Sequence, residues 1–283
     1  MLNALLIGQS DDLDVFTEIL GRSRYFRKME QWKTKTGLLA ERDDHGGFDA
    51  FHAYLIVSPL EHPQELFSFL IRRKENLYFV DQPVFREATL NELDLLHRES
   101  GNILQPGVPE LFHPLTEEFL TSHSSHLFFR YTKSVASRKM IRPAILSALA
   151  FLALLSPMPV KRMDVNTIDS TRYSRPHIKI RLKLFDSSIS YIIIRMESTP
   201  EHSIIIESAD GNFTFNFAGN YLENIHGARF LCDPVPEHDL WFKSLESFAL
   251  NIILNQKPLF TLNHYRMCFH VLDKLQNILY NSF

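Results

Sequence analysis

The sequence predicts two domains, an α/β domain built on a parallel sheet with crossover helices and then an α+β domain with a mainly antiparallel open sheet. Three observations lead there. A chain of 283 residues exceeds the usual size of a single hydrophobic core. Up to about residue 118, apolar strand-like runs alternate with helical ones, the order that parallel sheets require. Beyond it, strand-like runs follow one another through short polar turns, and helical patterns fall only in the middle and at the end. The expected boundaries are therefore 1–118 and 119–283.

Leu2 to Ile7 reads as a buried first strand and Asp12 to Gly21 as the helix after it. A second strand lies within Lys28 to Lys35, and Ala53 to Val57 is a third, ended by Ser58-Pro59. Pro63 to Lys74 is helical, with Leu66, Phe67, Leu70 and Ile71 on one face. Asn76 to Val80 is again extended, and Thr89 to Ser100 closes the series as an amphipathic helix. This is the order of a Rossmann-like domain. In the second half, His177 to Phe185 alternates Ile178, Ile180, Leu182 and Leu184 with Lys179, Arg181 and Lys183. Tyr191 to Ile194 and Ile204 to Ile206 are apolar throughout, so both faces of those strands need cover. The helix from Pro143 to Leu155 can cover one face. A second subunit is expected on the other, unless the helical patterns at Leu240 to Leu254 and Leu262 to Tyr280 do so.

Composition narrows the classes of function. A net charge of -3 and a hydrophobic content of 45% are those of an ordinary globular protein and give no whole-chain signal for nucleic acid. The apolar run from Ala144 to Leu155 is too short for a bilayer, and the N-terminus lacks the basic region of a secretory signal. Cys232 and Cys268 fit no metal or redox spacing, which suits reduced thiols and a cytoplasmic location. His123 and His126 have no evident third ligand, so no metal site is expected.

Leu5-Leu6-Ile7-Gly8, Asp49-Ala50, Ser58-Pro59 with His62, Val80-Asp81-Gln82-Pro83, Phe112-His113-Pro114 and a late Leu245-Glu246-Ser247-Phe248 occur in that order. Together they resemble the glucose-fructose oxidoreductase and inositol dehydrogenase (Gfo/Idh/MocA) family, nearly end to end. The resemblance implies a Rossmann domain, a C-terminal domain whose open sheet serves oligomer contacts, and NAD- or NADP-dependent chemistry on sugars or cyclitols. It also implies a site formed by Gly8, Gln9, Ser10, Ser58 and Pro59 for the cofactor.

The chemistry-bearing positions depart from that pattern. A Gly-x-Gly-x-x-Gly turn lets a pyrophosphate approach the backbone at a helix N-terminus. Here the run is Gly8-Gln9-Ser10-Asp11-Asp12-Leu13, in which only the first glycine remains. Asp11 and Asp12 read as the N-cap and first-turn acids of the helix, and as carboxylates they would repel a phosphate. Glu30 is the nearest acid for a ribose hydroxyl, with Lys33 and Lys35 the nearest bases. Gln82 stands where the resemblance implies a lysine, and an amide cannot accept the proton of an oxidised hydroxyl. The helix implied to carry an acid and a histidine reads Arg142-Pro143-Ala144-Ile145-Leu146-Ser147, with Leu146 or Ser147 at the histidine position. Glu110-Leu111 stands for an arginine pair.

Asp81 and His62 remain as candidate bases, with Gln82 orienting a hydroxyl; His113 is a further candidate near the domain junction. Residues 130–183 hold twelve Lys or Arg against two acids, and 184–250 hold ten acids against three bases, net +10 and -7. Cross-strand pairing is expected to cancel much of this. Otherwise Arg138, Lys139, Arg142, Arg172 and Arg175 can take an anionic sugar. The expectation is a catalytically degenerate family member, dimeric through its C-terminal sheet, which binds a ligand or organises a partner enzyme. Its NAD or NADP binding is expected to be weak or absent. The alternative is an active oxidoreductase with a rearranged site.

Overall fold

The computed structural model describes residues 1–33, 50–58, 60, 63–80, 87–116, 128–156, 159–169, 176–197, 199–208, 211–224 and 226–280. The chain divides into two compact units, Met1–Pro109 with Pro236–Tyr265, and Glu110–Val235 with Arg266–Phe283.

The first unit holds β1 (Leu2–Gly8), α1 (Ser10–Gly21), β2 (Phe26–Lys33), β3 (Ala53–Ile56), α2 (Pro63–Arg72), β4 (Asn76–Phe79), α3 (Glu87–Ser100) and β5 (Leu104–Pro106). Its five strands are parallel, in the order β2-β1-β3-β4-β5. β1 and β3 are buried almost throughout, as strands covered on both faces must be. The order reverses between β1 and β3, so the crevice outside their carboxyl ends is where such sheets take ligands.

Helix α5 (Glu237–Leu254) packs against α1, and its Leu245, Phe248 and Ala249 join the first unit's core. A buried polar chain fixes it there. The Tyr78 and Ser244 hydroxyls share a 2.7 Å bond, Gln105 donates to the Ser244 carbonyl, and Asn251 donates to Gln105. Trp241 and the Tyr78 ring leave Gly107 no room for a side chain, since a Cβ there would lie 2.8 Å from each. This helix, one of the two offered as an alternative cover for the second sheet, thus contributes to the core of the first unit.

The second unit contains an eight-stranded sheet in the order β13-β12-β11-β10-β6-β9-β8-β7. In chain order these are β6 (Phe128–Ser134), β7 (Val160–Asp169), β8 (Pro176–Leu184), β9 (Ile189–Arg195), β10 (His202–Ser208), β11 (Gly211–Asn216), β12 (Tyr221–Asn224) and β13 (Arg229–Leu231). All neighbours are antiparallel except β6 and β9. Helix α4 (Ile141–Leu155), buried from Ala144 to Ala153, packs on β6 and β9. That face carries Phe129, Tyr131, Ile180, Ile192, Ile194, Ile204 and Ile206. On the other face Tyr191, Ile193 and Ile205 are only half-buried. A last helix, α6, spans Leu262–Tyr280. Among the described residues no helix is long and apolar enough to cross a membrane.

The sheet order also corrects the expectation of wide charge cancellation. β6 lies between β9 and β10, and β8 between β9 and β7, so the basic strands do border strands of the 184–250 stretch, but β9 carries no acid and Glu207 of β10 stands opposite Phe128. Arg162 does pair Asp164 at 3.0 Å, and Lys179 lies 4.8 Å over the Tyr191 ring. Asp239, from the acidic stretch, instead pairs with Arg22 in the first unit.

Candidate functional site

Two places carry the chemistry that can be judged, one in each unit. In the first, β1 ends at Gly8 beside the end of β3. A Cβ on Gly8 would stand 2.5 Å from the Ser58 hydroxyl and 2.9 Å from Val57. The two chain ends can approach this closely only because Gly8 has no side chain.

Gln9 is the N-cap of α1 and makes no side-chain cap bond; Asp11 and Asp12 lie in the first turn. The N-cap role expected for the two acids is thus corrected. Instead the Gln9 backbone N–H donates to Ser58 Oγ at 2.8 Å, and the Ser58 hydroxyl donates to Asp12 Oδ2 at 2.6 Å. In a capping box the third helical residue's carboxylate accepts the N-cap amide directly. Here Ser58, from the end of β3, is inserted between the two. The turn is thus held by a hydroxyl relay that ends on a carboxylate.

Ser10 opens α1 and is exposed. Glu30 pairs with Lys28 at 2.6 Å in mid-strand, opposite Leu5. Lys33 ends β2 opposite Gly8. Pro59, His62, Asp81, Gln82, Pro83, Lys35, His123, His126, Arg172 and Arg175 lie outside the described residues, as does the side chain of Lys139. Arg138 is exposed just before α4 and Arg142 is half-buried in its first turn.

The second place is a polar cluster under α4. Tyr131 and Lys133 alternate onto the covered face of β6, and His202 opens β10 in register with Lys133. Lys133 Nζ lies 2.8 Å from Glu110 Oε1, with 21% and 16% of the side chains exposed, so the pair is desolvated enough to matter. Burial pushes the Glu110 carboxyl up, but Lys133 outweighs it, with His202 adding, and the group is held below its ordinary value. Burial, reinforced by Lys133 and His113, pushes His202 down to about 3, against the opposing pull of Glu110. Its imidazole is neutral at pH 7.

The His202 ring stacks on Phe217 at 4.5 Å and meets Tyr131 at 5.4 Å, while His113 stands edge-on to Phe217 at 4.9 Å. Among the described residues His202 Nε2 is buried without a hydrogen-bond partner. Ser147, on α4, is the hydroxyl neighbouring that of Tyr131, and burial pushes the phenol up. Leu146 and Ser147 are themselves buried.

The structure therefore brings Gly8, Gln9 and Ser58 together, and places His113 and Ser147 around a cluster that sequence reasoning missed. The signal was present: Lys133 has the parity of Phe129 and Tyr131, which puts a charge on a covered face. Among the described residues no group of three or more His, Cys, Asp or Glu can hold a metal.

No family model matches the sequence, and no curated protein matches it. Solved structures do match in fold. UDP-N-acetylglucosamine 3-dehydrogenase GnnA from Acidithiobacillus ferrooxidans superimposes with a TM-score of 0.79 at 12% identity, over 95% of each chain. Biliverdin reductase from Synechocystis, solved with biliverdin and NADP+, gives 0.71 at 13% identity, over 97% of this chain and 98% of that one. The dehydrogenase MviM from Clostridium difficile gives 0.73 at 15% identity, over 98% and 99%. The fold of this chain is thus the two-domain fold that these dehydrogenases and this reductase share.

Proposed function

We propose that the chain is a catalytically degenerate form of this scaffold, a binding or partner-organising protein and not a working dehydrogenase. The observation that carries the reading is the turn at Gly8. The residues present do not fit a dinucleotide, because the Gln9 amide is already bonded to Ser58 and the relay ends on the Asp12 carboxylate. A dinucleotide needs open amides and no fixed negative charge at that point. NAD or NADP binding is accordingly weak or absent. The half-buried apolar residues Tyr191, Ile193 and Ile205 on the uncovered sheet face support a homodimer through the second unit. A chain with only two cysteines, in no metal or redox spacing, suits a cytoplasmic location.

The test is calorimetry of the purified protein with NADH and NADPH, together with an absorbance assay for nicotinamide reduction on sugars and cyclitols. No heat at micromolar nucleotide and no turnover are expected; turnover refutes the reading. A second reading, an active NAD(P)-dependent oxidoreductase with a rearranged site, draws on the cluster under α4. A neutral His202, whose Nε2 has no hydrogen-bond partner among the described residues, can hydrogen-bond and orient a substrate hydroxyl beside Tyr131. The same assay decides for it if His202→Phe abolishes a rate that the native chain shows.

A further inference from the structure

We infer that the Asp12 carboxylate, held by Ser58 across the crevice between the ends of β1 and β3, is what excludes nucleotide phosphates from the first unit. The inference rests on the non-catalytic reading and assigns the exclusion to one group.

Three causes compete, and the geometry separates them. The first is loss of the second and third glycines of the turn. Ser10 occupies the second glycine's position, but it is small and exposed at the start of α1. The second is the spent Gln9 amide, whose bond to Ser58 removes one donor while the amides of the first helical turn follow it in sequence. The third is charge. Asp12 is the third residue of α1, so its carboxylate lies beside the helix end that would attract an anion. The Ser58 hydroxyl fixes it toward the end of β3, on the line a dinucleotide follows from a helix N-terminus across the switch point.

A like charge within a few ångströms of a phosphate in a partly solvated crevice weakens binding by about tenfold or more, whereas one lost neutral donor weakens it less. Ser58 spends the Gln9 amide, but Asp12 stays in the first turn of α1, beside the helix end, with or without it. Removing Ser58 frees the amide and leaves the charge. Replacing Asp12 by asparagine removes the charge and leaves a side chain that can still bond the hydroxyl. The two variants therefore have different expectations.

The test is calorimetric titration of the full chain with inorganic pyrophosphate and with NADP+, for the native protein, Asp12→Asn and Ser58→Ala, with folding of each checked by circular dichroism. Asp12→Asn is expected to gain about tenfold in pyrophosphate affinity over the native chain, and Ser58→Ala to stay within about twofold of it. Equal affinity of Asp12→Asn and the native chain overturns the inference, as does a gain in Ser58→Ala as large as that in Asp12→Asn. Neither result restores turnover, so failure here leaves the non-catalytic reading standing. Turnover by the native chain overturns both.

Discussion

Acidification should destabilise the second unit through one histidine. The unfolded imidazole titrates near 6.5, while in the folded chain His202 is held down to about 3. Between those values the unfolded state binds a proton that the folded state refuses. Its contribution therefore falls as pH drops below 6.5, at about 1.4 kcal/mol per pH unit. From pH 6.5 to 4.5 the loss is about 2 to 3 kcal/mol, a large share of a typical folding free energy.

The groups facing the ring are Lys133, Glu110, His113, Tyr131 and Phe217. Glu110 acts in a different window. Its carboxyl is held below 4.5, so its contribution is present above that value and is lost only as pH falls beneath it. Urea unfolding followed by circular dichroism at pH 7.0, 6.5, 5.5 and 4.5, for the native chain and His202→Phe, isolates the histidine term. Phenylalanine keeps a ring against Phe217 and cannot titrate. The native chain should lose about 2 to 3 kcal/mol more than the variant over this range; parallel curves for the two would refute the assignment.

Lys133→Met leaves the Glu110 carboxylate without its partner at 2.8 Å and should cost about 3 to 5 kcal/mol in the same unfolding assay, with much of it recovered in Lys133→Met with Glu110→Gln. Tyr78→Phe strands the Ser244 hydroxyl on α5 and should lower stability by about 1 to 3 kcal/mol, measured by urea midpoint. Gly8→Ala sets a methyl 2.5 Å from Ser58 Oγ and 2.9 Å from Val57, and should lower the melting temperature by several degrees, about 1 to 3 kcal/mol. Ser58→Gly added to it should return part of that loss, which thermal melts of the two proteins would show.

The fold was legible because periodicity is local. β1, β3, α2 and α4 declare themselves through runs of buried residues, and the change from alternating to consecutive strands marks the change of sheet type. The assignment of α5 was not legible, since an amphipathic pattern states that a helix has an apolar face and not which sheet that face meets. Leu245 and Phe248 have the same spacing whichever core they enter. The cluster under α4 hid for a related reason. Glu110 and Lys133 are 23 residues apart and His202 lies much further on; strand pairing joins Lys133 to His202, and tertiary packing brings Glu110 to them. The relay at Gly8 combined both cases: the two aspartates were visible, but Ser58, the partner of Asp12, comes from the end of a different strand.

That relay also changes what a surviving glycine means. In a dinucleotide-binding turn the first glycine serves a tight bend near the pyrophosphate, so its presence in a sequence invites the conclusion that a nucleotide binds. In this chain the demand at Gly8 is met by protein atoms alone, because the hydroxyl of Ser58 and a methyl of Val57 fill the space a side chain would need. Packing between two central strands is sufficient to retain glycine there whether or not any phosphate ever arrives. The glycine is therefore a mark of the fold, and a test of nucleotide binding is better aimed at Asp12, three residues into the helix.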